Sequence, residues 1–169
     1  MSEDFLRIKT PITEDVTASL KEGQRCYITG TVYMARDAAH KRMVETFKNG
    51  GSFPFDIENQ IIYFAGPCPA KPGKVIGSCG PTTSYRMDAY SPFLLDRGLK
   101  GMIGKGERNA EVTESIKKNK AVYFGATGGA GALLAKCIKS QEIIAYEDLG
   151  AEALRKLYVE DFPVIVLIK

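Results

Sequence analysis

Apolar and polar positions change rhythm about half-way along the chain. Residues 5–8 alternate, and RCYITGTVYM (25–34) is rich in Tyr, Ile, Thr and Val, so both read as strands. In AAHKRMVETFK, Ala39, Met43 and Phe47 recur four apart, the apolar stripe of a short helix that Asn49, Gly50 and Gly51 end. A strand is expected at 61–65 (IIYFA), a turn at GPCPAKPGK and a further strand at 75–78. From Gly80 onward strand and helix take turns. Helices are expected near 84–96, 109–118, 130–138 and 151–157, and strands at 101–104, 121–124, 142–145 and 164–168. Such alternation predicts an α/β fold with helices against a largely parallel sheet, and an extra β layer from the first third. One domain over 1–169 is expected, β-rich over 1–79 and alternating over 80–169.

Composition fits that picture. With 169 residues, 44% hydrophobic and 25% charged, the chain should bury roughly two-thirds of its unfolded surface, which excludes disorder. No apolar run approaches the ~20 residues of a membrane span, and MSEDFLRIKT is acidic where a signal peptide is basic, so a cytoplasmic location is expected. The 23 basic residues nearly balance the 20 acidic ones and are spread along the chain. Nothing therefore demands nucleic acid or a membrane surface. Cys26, Cys68, Cys79 and Cys137 are dispersed and His40 is the single histidine, a poor inventory for a metal site.

Four stretches can carry chemistry. GPTTSYRMD (80–88) lies between an expected strand and an expected helix: Thr82 or Thr83 can cap that helix, and its free amides attract anions. If the helix starts there, Thr82 and Arg86 share a face, a hydroxyl and a planar guanidinium fork within reach of one small acid. The same residues also suit a capped helix with an exposed arginine. In KGMIGKGERN (100–109), Lys105 sits between glycines at the carboxyl end of a strand, where ligands of α/β sheets bind, although a solvated turn lysine looks the same. ARDAAH (35–40) bunches Arg36, Asp37 and His40 at a strand-to-helix junction: Asp37 can cap, Arg36 can face a ligand, and His40 can orient either or be purely structural. GATGGAG (125–131) superficially resembles a dinucleotide loop, but its glycine spacing is not GxGxxG and tight helix-to-strand packing accounts for it. Among the thiols only Cys79, beside GPTT, stands near candidate chemistry.

ARDAAH, GPTTSYRMD and KGMIGKG in this order, followed by AVYFGATGGAGALLA and DFPVIVLIK, resemble the β subunit of class I iron-sulfur fumarate hydratase over nearly the whole chain. The L-tartrate dehydratase β subunit shares the GPTTS and GKG elements. The resemblance implies a swivelling β/β/α domain with a mixed sheet, paired with an α subunit that carries a four-iron four-sulfur cluster, in an αβ pair or a dimer of such pairs. It implies a site between the two subunits for a small dicarboxylate. This chain would bind no metal itself. By motif, Thr82 resembles the group that takes the proton from C3 of malate. Arg36, Arg86 and Lys105, with Thr82 and Thr83, resemble the substrate-binding set, and Asp37 and His40 its supporting shell. Thr82, Arg86 and Lys105 form the expected catalytic group. The alternatives are a tartrate dehydratase β subunit, or a non-catalytic nucleotide- or phosphate-binding module that uses the loop 125–131.

Overall fold

The computed structural model describes residues 5–126 and 131–169, and among these residues there are seven strands and five α-helices. In chain order the elements are β1 (Leu6–Lys9), α1 (Glu14–Ser19), β2 (Arg25–Met34), α2 (Asp37–Lys48) and β3 (Ile61–Tyr63). After them come a 3-10 turn (Ser84–Met87), α3 (Ser91–Leu95), β4 (Gly101–Gly104), α4 (Ala110–Lys118) and β5 (Val122–Ala126). The chain ends with α5 (Gly131–Ala135), β6 (Ile138–Ala145), a second 3-10 segment (Glu147–Glu152) and β7 (Leu154–Ile168).

The strands form one sheet in the order β1-β2-β3-β4-β5-β7-β6, and β7 also pairs with β2. The pairings β2–β3, β3–β4, β4–β5, β5–β7 and β7–β2 therefore close a ring, with β1 and β6 as side branches. β1 to β5 are joined in parallel, whereas β7 runs antiparallel to β2, β5 and β6. Period-two burial divides each strand between two cores. Ile61, Tyr63, Ile103, Val122 and Phe124 join Phe162, Val164 and Val166 in one of them. Their neighbours Ile62, Phe64, Met102 and Tyr123 pack instead beneath Met43 and Val44 of α2, Leu94 and Leu95 of α3, and Val112 and Ile116 of α4. Burial on both faces is why IIYFA is apolar throughout.

Several expectations need correction. The sheet is mixed, with four parallel and three antiparallel pairings among the described residues, because β7 follows a 3-10 turn and not a crossover helix. The strands of the first third are part of this same sheet and make no layer of their own. Of the helix expected over 151–157, residues 151–152 end the 3-10 segment and 154–157 begin β7, whose alternation is interrupted by a bulge at Glu160 and Asp161, the latter at φ +48°. The helix expected over 84–96 is broken in two, since Pro92 fits only the first turn of α3. Residues 75–78 form no strand: Ile76 is buried, but the segment lies in a loop where Gly77 packs against Cys68. Helix α1 and the segment Glu147–Glu152 had no expectation.

Candidate functional site

β2, β3, β4 and β5 are parallel neighbours, so their carboxyl ends lie along one edge of the sheet. Arg36 and Asp37 leave β2 there, Phe64 to Gly66 leave β3, and Lys105 leaves β4. Of the glycine loop that leaves β5, residues 127–130 lie outside the described residues. The GPTTS segment crosses these ends and is tied to them. The Thr82 amide donates to the Phe64 carbonyl at 2.6 Å, Thr83 bridges Lys105, and the Ser84 amide donates to the Lys105 carbonyl at 2.9 Å. Gly131 packs on Gly80, and its carbonyl accepts from the Cys79 amide at 3.3 Å. The motifs ARD, GPTTSYRMD and GKG, far apart in sequence, are thus brought to one edge.

Local geometry departs from the simple capping picture. The 3-10 turn begins at Ser84, so Thr82 stands outside it, and neither Thr82 nor Thr83 caps it through a side chain. The Thr82 hydroxyl has no hydrogen-bond partner among the described residues and is half-buried. Asp37 does not cap α2 either. Its carboxylate Oδ2 lies 3.0 Å from Arg86 Nε, which links the ARD motif directly to RMD. The carboxylate of Glu152 instead accepts from the Ala38 amide at 3.3 Å and lies 3.9 Å from Arg36 Nε. Arg36 passes close to Gly66: a Cβ there would lie 3.1 Å from Arg36 Cδ and 2.8 Å from the Ala151 carbonyl, so that position has no room for a side chain. Lys105 is exposed and in no ion pair among the described residues.

His40 is fully buried, edge-on to Phe64 with ring centroids 5.3 Å apart. Burial pushes its imidazole down to about 4, so it is neutral at pH 7. A neutral ring whose Nδ1 lies 2.8 Å from the Arg36 carbonyl donates from Nδ1 and leaves Nε2 as a bare acceptor, and Nε2 has no partner. His40 holds the backbone of Arg36 and does not face a ligand. Cys79 is buried, which pushes its thiol up to about 11, so it has no thiolate character at neutral pH.

Beneath the edge lies a polar cluster that had no expectation. Arg108 Nε donates to Asp88 Oδ1 at 2.6 Å and Arg108 Nη2 to Ser91 Oγ at 2.6 Å, with the two charged side chains 0% and 7% exposed. The other oxygen of Asp88 accepts from the Asn109 amide at 2.9 Å, where α4 starts. The guanidinium faces the rings of Tyr123 (4.8 Å) and Phe64 (5.3 Å). Both charged residues stand in quoted motifs, RMD and GKGER, but nothing in sequence distinguishes an arginine that faces a ligand from one that faces a carboxylate below.

The edge therefore gathers Arg86 (paired with Asp37), Arg36 (close to Glu152), the exposed Lys105, and the Thr82 hydroxyl, which has no hydrogen-bond partner among the described residues, a set suited to an oxyanion or carboxylate. Among the described residues no three His, Cys, Asp or Glu side chains converge in a group that could hold a metal ion. A separate cavity of about 730 Å³ lies between the loop at 68–78 and α5 with β6. It is lined by Val75, Ile76, Lys71, Lys74, Lys136 and Lys139 among others, and by none of Arg36, Thr82, Arg86 and Lys105. No helix among the described residues is long and apolar enough to cross a membrane.

Comparison with known proteins identifies the family of the chain. Residues 2–169 match the family described as Fumarase C-terminus. The chain is 42% identical over 146 residues to an Escherichia coli K12 protein named fumarate hydratase class I, aerobic, covering 85% of this chain and 27% of that protein. It is 39% identical over 148 residues to fumarate hydratase 2 of Leishmania major, covering 86% and 26%. A Methanocaldococcus jannaschii protein with the provisional name L(+)-tartrate dehydratase subunit beta is 37% identical over 161 residues, covering 92% of this chain and 83% of that protein. The chain thus spans about a quarter of the fumarate hydratases it matches.

Proposed function

This chain belongs to the Fumarase C-terminus family, and on that premise we propose that it is the β subunit of an iron-sulfur hydro-lyase that interconverts L-malate and fumarate in the cytoplasm. Its site is completed by a cluster-bearing α subunit, alone or in a dimer of αβ pairs, and this chain is the swivelling β/β/α domain of the assembly. The observation that carries the reading is the meeting of Thr82, Arg86 and Lys105 at the carboxyl ends of β3 and β4, with Arg36 at the end of β2.

Arg86 and Lys105 hold the carboxylates of the diacid, assisted by Arg36 and Thr83. Removal of the C3 proton beside a carboxylate builds negative charge on that carboxylate, which fixed cations stabilise where it forms. The hydroxyl of Thr82, which has no hydrogen-bond partner among the described residues, takes the proton. A threonine is a weak base on its own, so the role depends on the positive field of Arg86 and Lys105 favouring its alkoxide. Asp37 fixes Arg86 through their 3.0 Å ion pair, and His40 fixes the Arg36 backbone. The partner's cluster supplies Lewis-acid chemistry at the substrate hydroxyl.

The test is an anaerobic assay of fumarate hydration and tartrate dehydration with this chain alone, with the cluster-bearing subunit from the same organism added, and with Arg86→Ala as control. Activity only in the mixture, lost in the control, supports the reading, and the better substrate names the diacid. Activity of the isolated chain, or an unchanged Arg86→Ala complex, overturns it.

Tartrate dehydratase is the second reading, favoured by the relative whose own length this chain nearly fills. A non-catalytic phosphate- or nucleotide-binding role has one observation behind it, the lysine-lined cavity next to α5. Equilibrium binding of nucleotide to the isolated chain, lost in Lys74→Glu, distinguishes it.

A further inference from the structure

Tyr123 on β5 is 1% exposed, and its hydroxyl lies 2.8 Å from two partners, Ser84 Oγ and the Gly106 carbonyl. One phenol carries one proton. It donates to the carbonyl and accepts from the Ser84 hydroxyl, so both groups are satisfied by this one oxygen. Ser84 begins the 3-10 turn that carries Arg86, and Gly106 follows Lys105. The Ser84 amide also donates to the Lys105 carbonyl. Gly104 has no room for a Cβ because Ser84 Oγ occupies that place. The ring of Tyr123 fills the core beside Arg108, and its hydroxyl adds a side-chain clasp between the Arg86 segment and the Lys105 segment to the Ser84 amide bond already there.

We propose that Tyr123 is a specificity-determining positioning residue: by fixing the separation of Arg86 and Lys105 it sets the chain length of the dicarboxylate that the site accepts. This rests on the reading of those two cations as carboxylate-binding groups. Each methylene added between two carboxylates moves the second by roughly 1.3 Å along the chain, given a C–C bond of about 1.5 Å. That exceeds the roughly 0.5 Å range over which a charge-assisted hydrogen bond keeps its geometry. A clasped pair of cations therefore reads length, and an unclasped pair does not.

The experiment measures inhibition constants of malonate, succinate and glutarate on fumarate hydration by the reconstituted complex, for the natural chain, Tyr123→Phe, Ser84→Ala and the double variant. Melting curves accompany each to show that the chain is folded. The natural complex is expected to prefer the four-carbon acid, and Tyr123→Phe to shrink that preference over the three- and five-carbon acids by about fivefold or more, roughly 1 kcal/mol. Ser84→Ala should act in the same direction, and the double variant should be little worse than Tyr123→Phe alone, because both remove one link. A purely structural role would lower the melting temperature and leave the ratio of inhibition constants intact. Unchanged ratios in a folded, active Tyr123→Phe complex overturn this inference alone. A natural complex that neither hydrates fumarate nor binds any of the three acids overturns the functional reading, and this inference with it.

Discussion

Arg86 is a residue whose stability and functional effects should separate. Its ion pair with Asp37 is close, 3.0 Å, but the two side chains are 49% and 32% exposed, and pairs screened in this way contribute at most about 1 kcal/mol to folding. Arg86→Ala should therefore shift a urea midpoint only slightly, yet lower kcat/KM of the assembled enzyme by 10²-fold or more on the order of magnitude of a lost charged contact. A change under about tenfold would place Arg86 outside the site. Thr82→Ala should lower kcat far more than it raises KM, since proton transfer is expressed in the transition state. A pure rise in KM would remove Thr82 from that role. His40 makes a prediction about pH. Its imidazole titrates near 6.5 when unfolded and about 4 when folded. Between these values the unfolded chain binds a proton that the folded chain refuses, so stability falls as the pH drops. The loss is about 2 kcal/mol between pH 7.5 and 5, and urea titrations at the two pH values should show it shrink in His40→Gln.

Among the elements, the 3-10 turn Ser84–Met87 and the start of α4 depend on one buried pair. Asp88 neutralises Arg108 and also accepts from the Asn109 amide. Asp88→Ala leaves a buried guanidinium without its partner, which costs about 3–5 kcal/mol, measured as a fall in urea stability. Replacing Asp88 and Arg108 together by apolar residues should cost less than the single change. ARD and GKG follow β2 and β4 as their sequences suggest, whereas GPTTSYRMD follows a loop and not the strand expected at 75–78, and reaches the same edge only through its hydrogen bonds to Phe64 and Lys105. Strand β2 was legible from its Tyr, Ile, Thr and Val content, and helix α2 from its apolar period of four and the stop at Asn49, Gly50 and Gly51. β7 was half hidden: Glu160 and Asp161 interrupt its alternation, and only its end was expected as a strand, 164–168, with a helix over 151–157 before it. The cluster of Asp88, Arg108 and Tyr123 was illegible because charged and hydroxyl side chains announce a ligand and a buried brace with the same letters. The partner of each is fixed only by strand pairing across the sheet.

At the scale of the whole molecule, the ring of strands ties the first half of the chain to the second. β2 pairs with β7 from Arg25 with Ile165 through to Met34 with Arg155, and Val164 is in register with Cys26 of β2 on one side and Ala126 of β5 on the other. Neither the β-rich part nor the alternating part can shed the other without exposing a long ladder and the core between Tyr63 and Phe162, whose rings meet at 5.1 Å. The chain should thus unfold in one cooperative step, with far- and near-ultraviolet circular dichroism giving coincident urea transitions. Phe162→Ala, which removes a ring 1% exposed, should lower stability by about 3–5 kcal/mol without splitting that transition. Its effect should reach the site, because the ring of Tyr63 rests on Phe162 and the Tyr63 hydroxyl donates to the Cys79 carbonyl at 2.6 Å, just before GPTT. Two separated transitions, with β2 and β3 melting apart from β5 and β7, would mean that the ring is not the unit of folding. Arg36 could then be lost while Lys105 stayed in place, and the site would not be held by the fold as a whole.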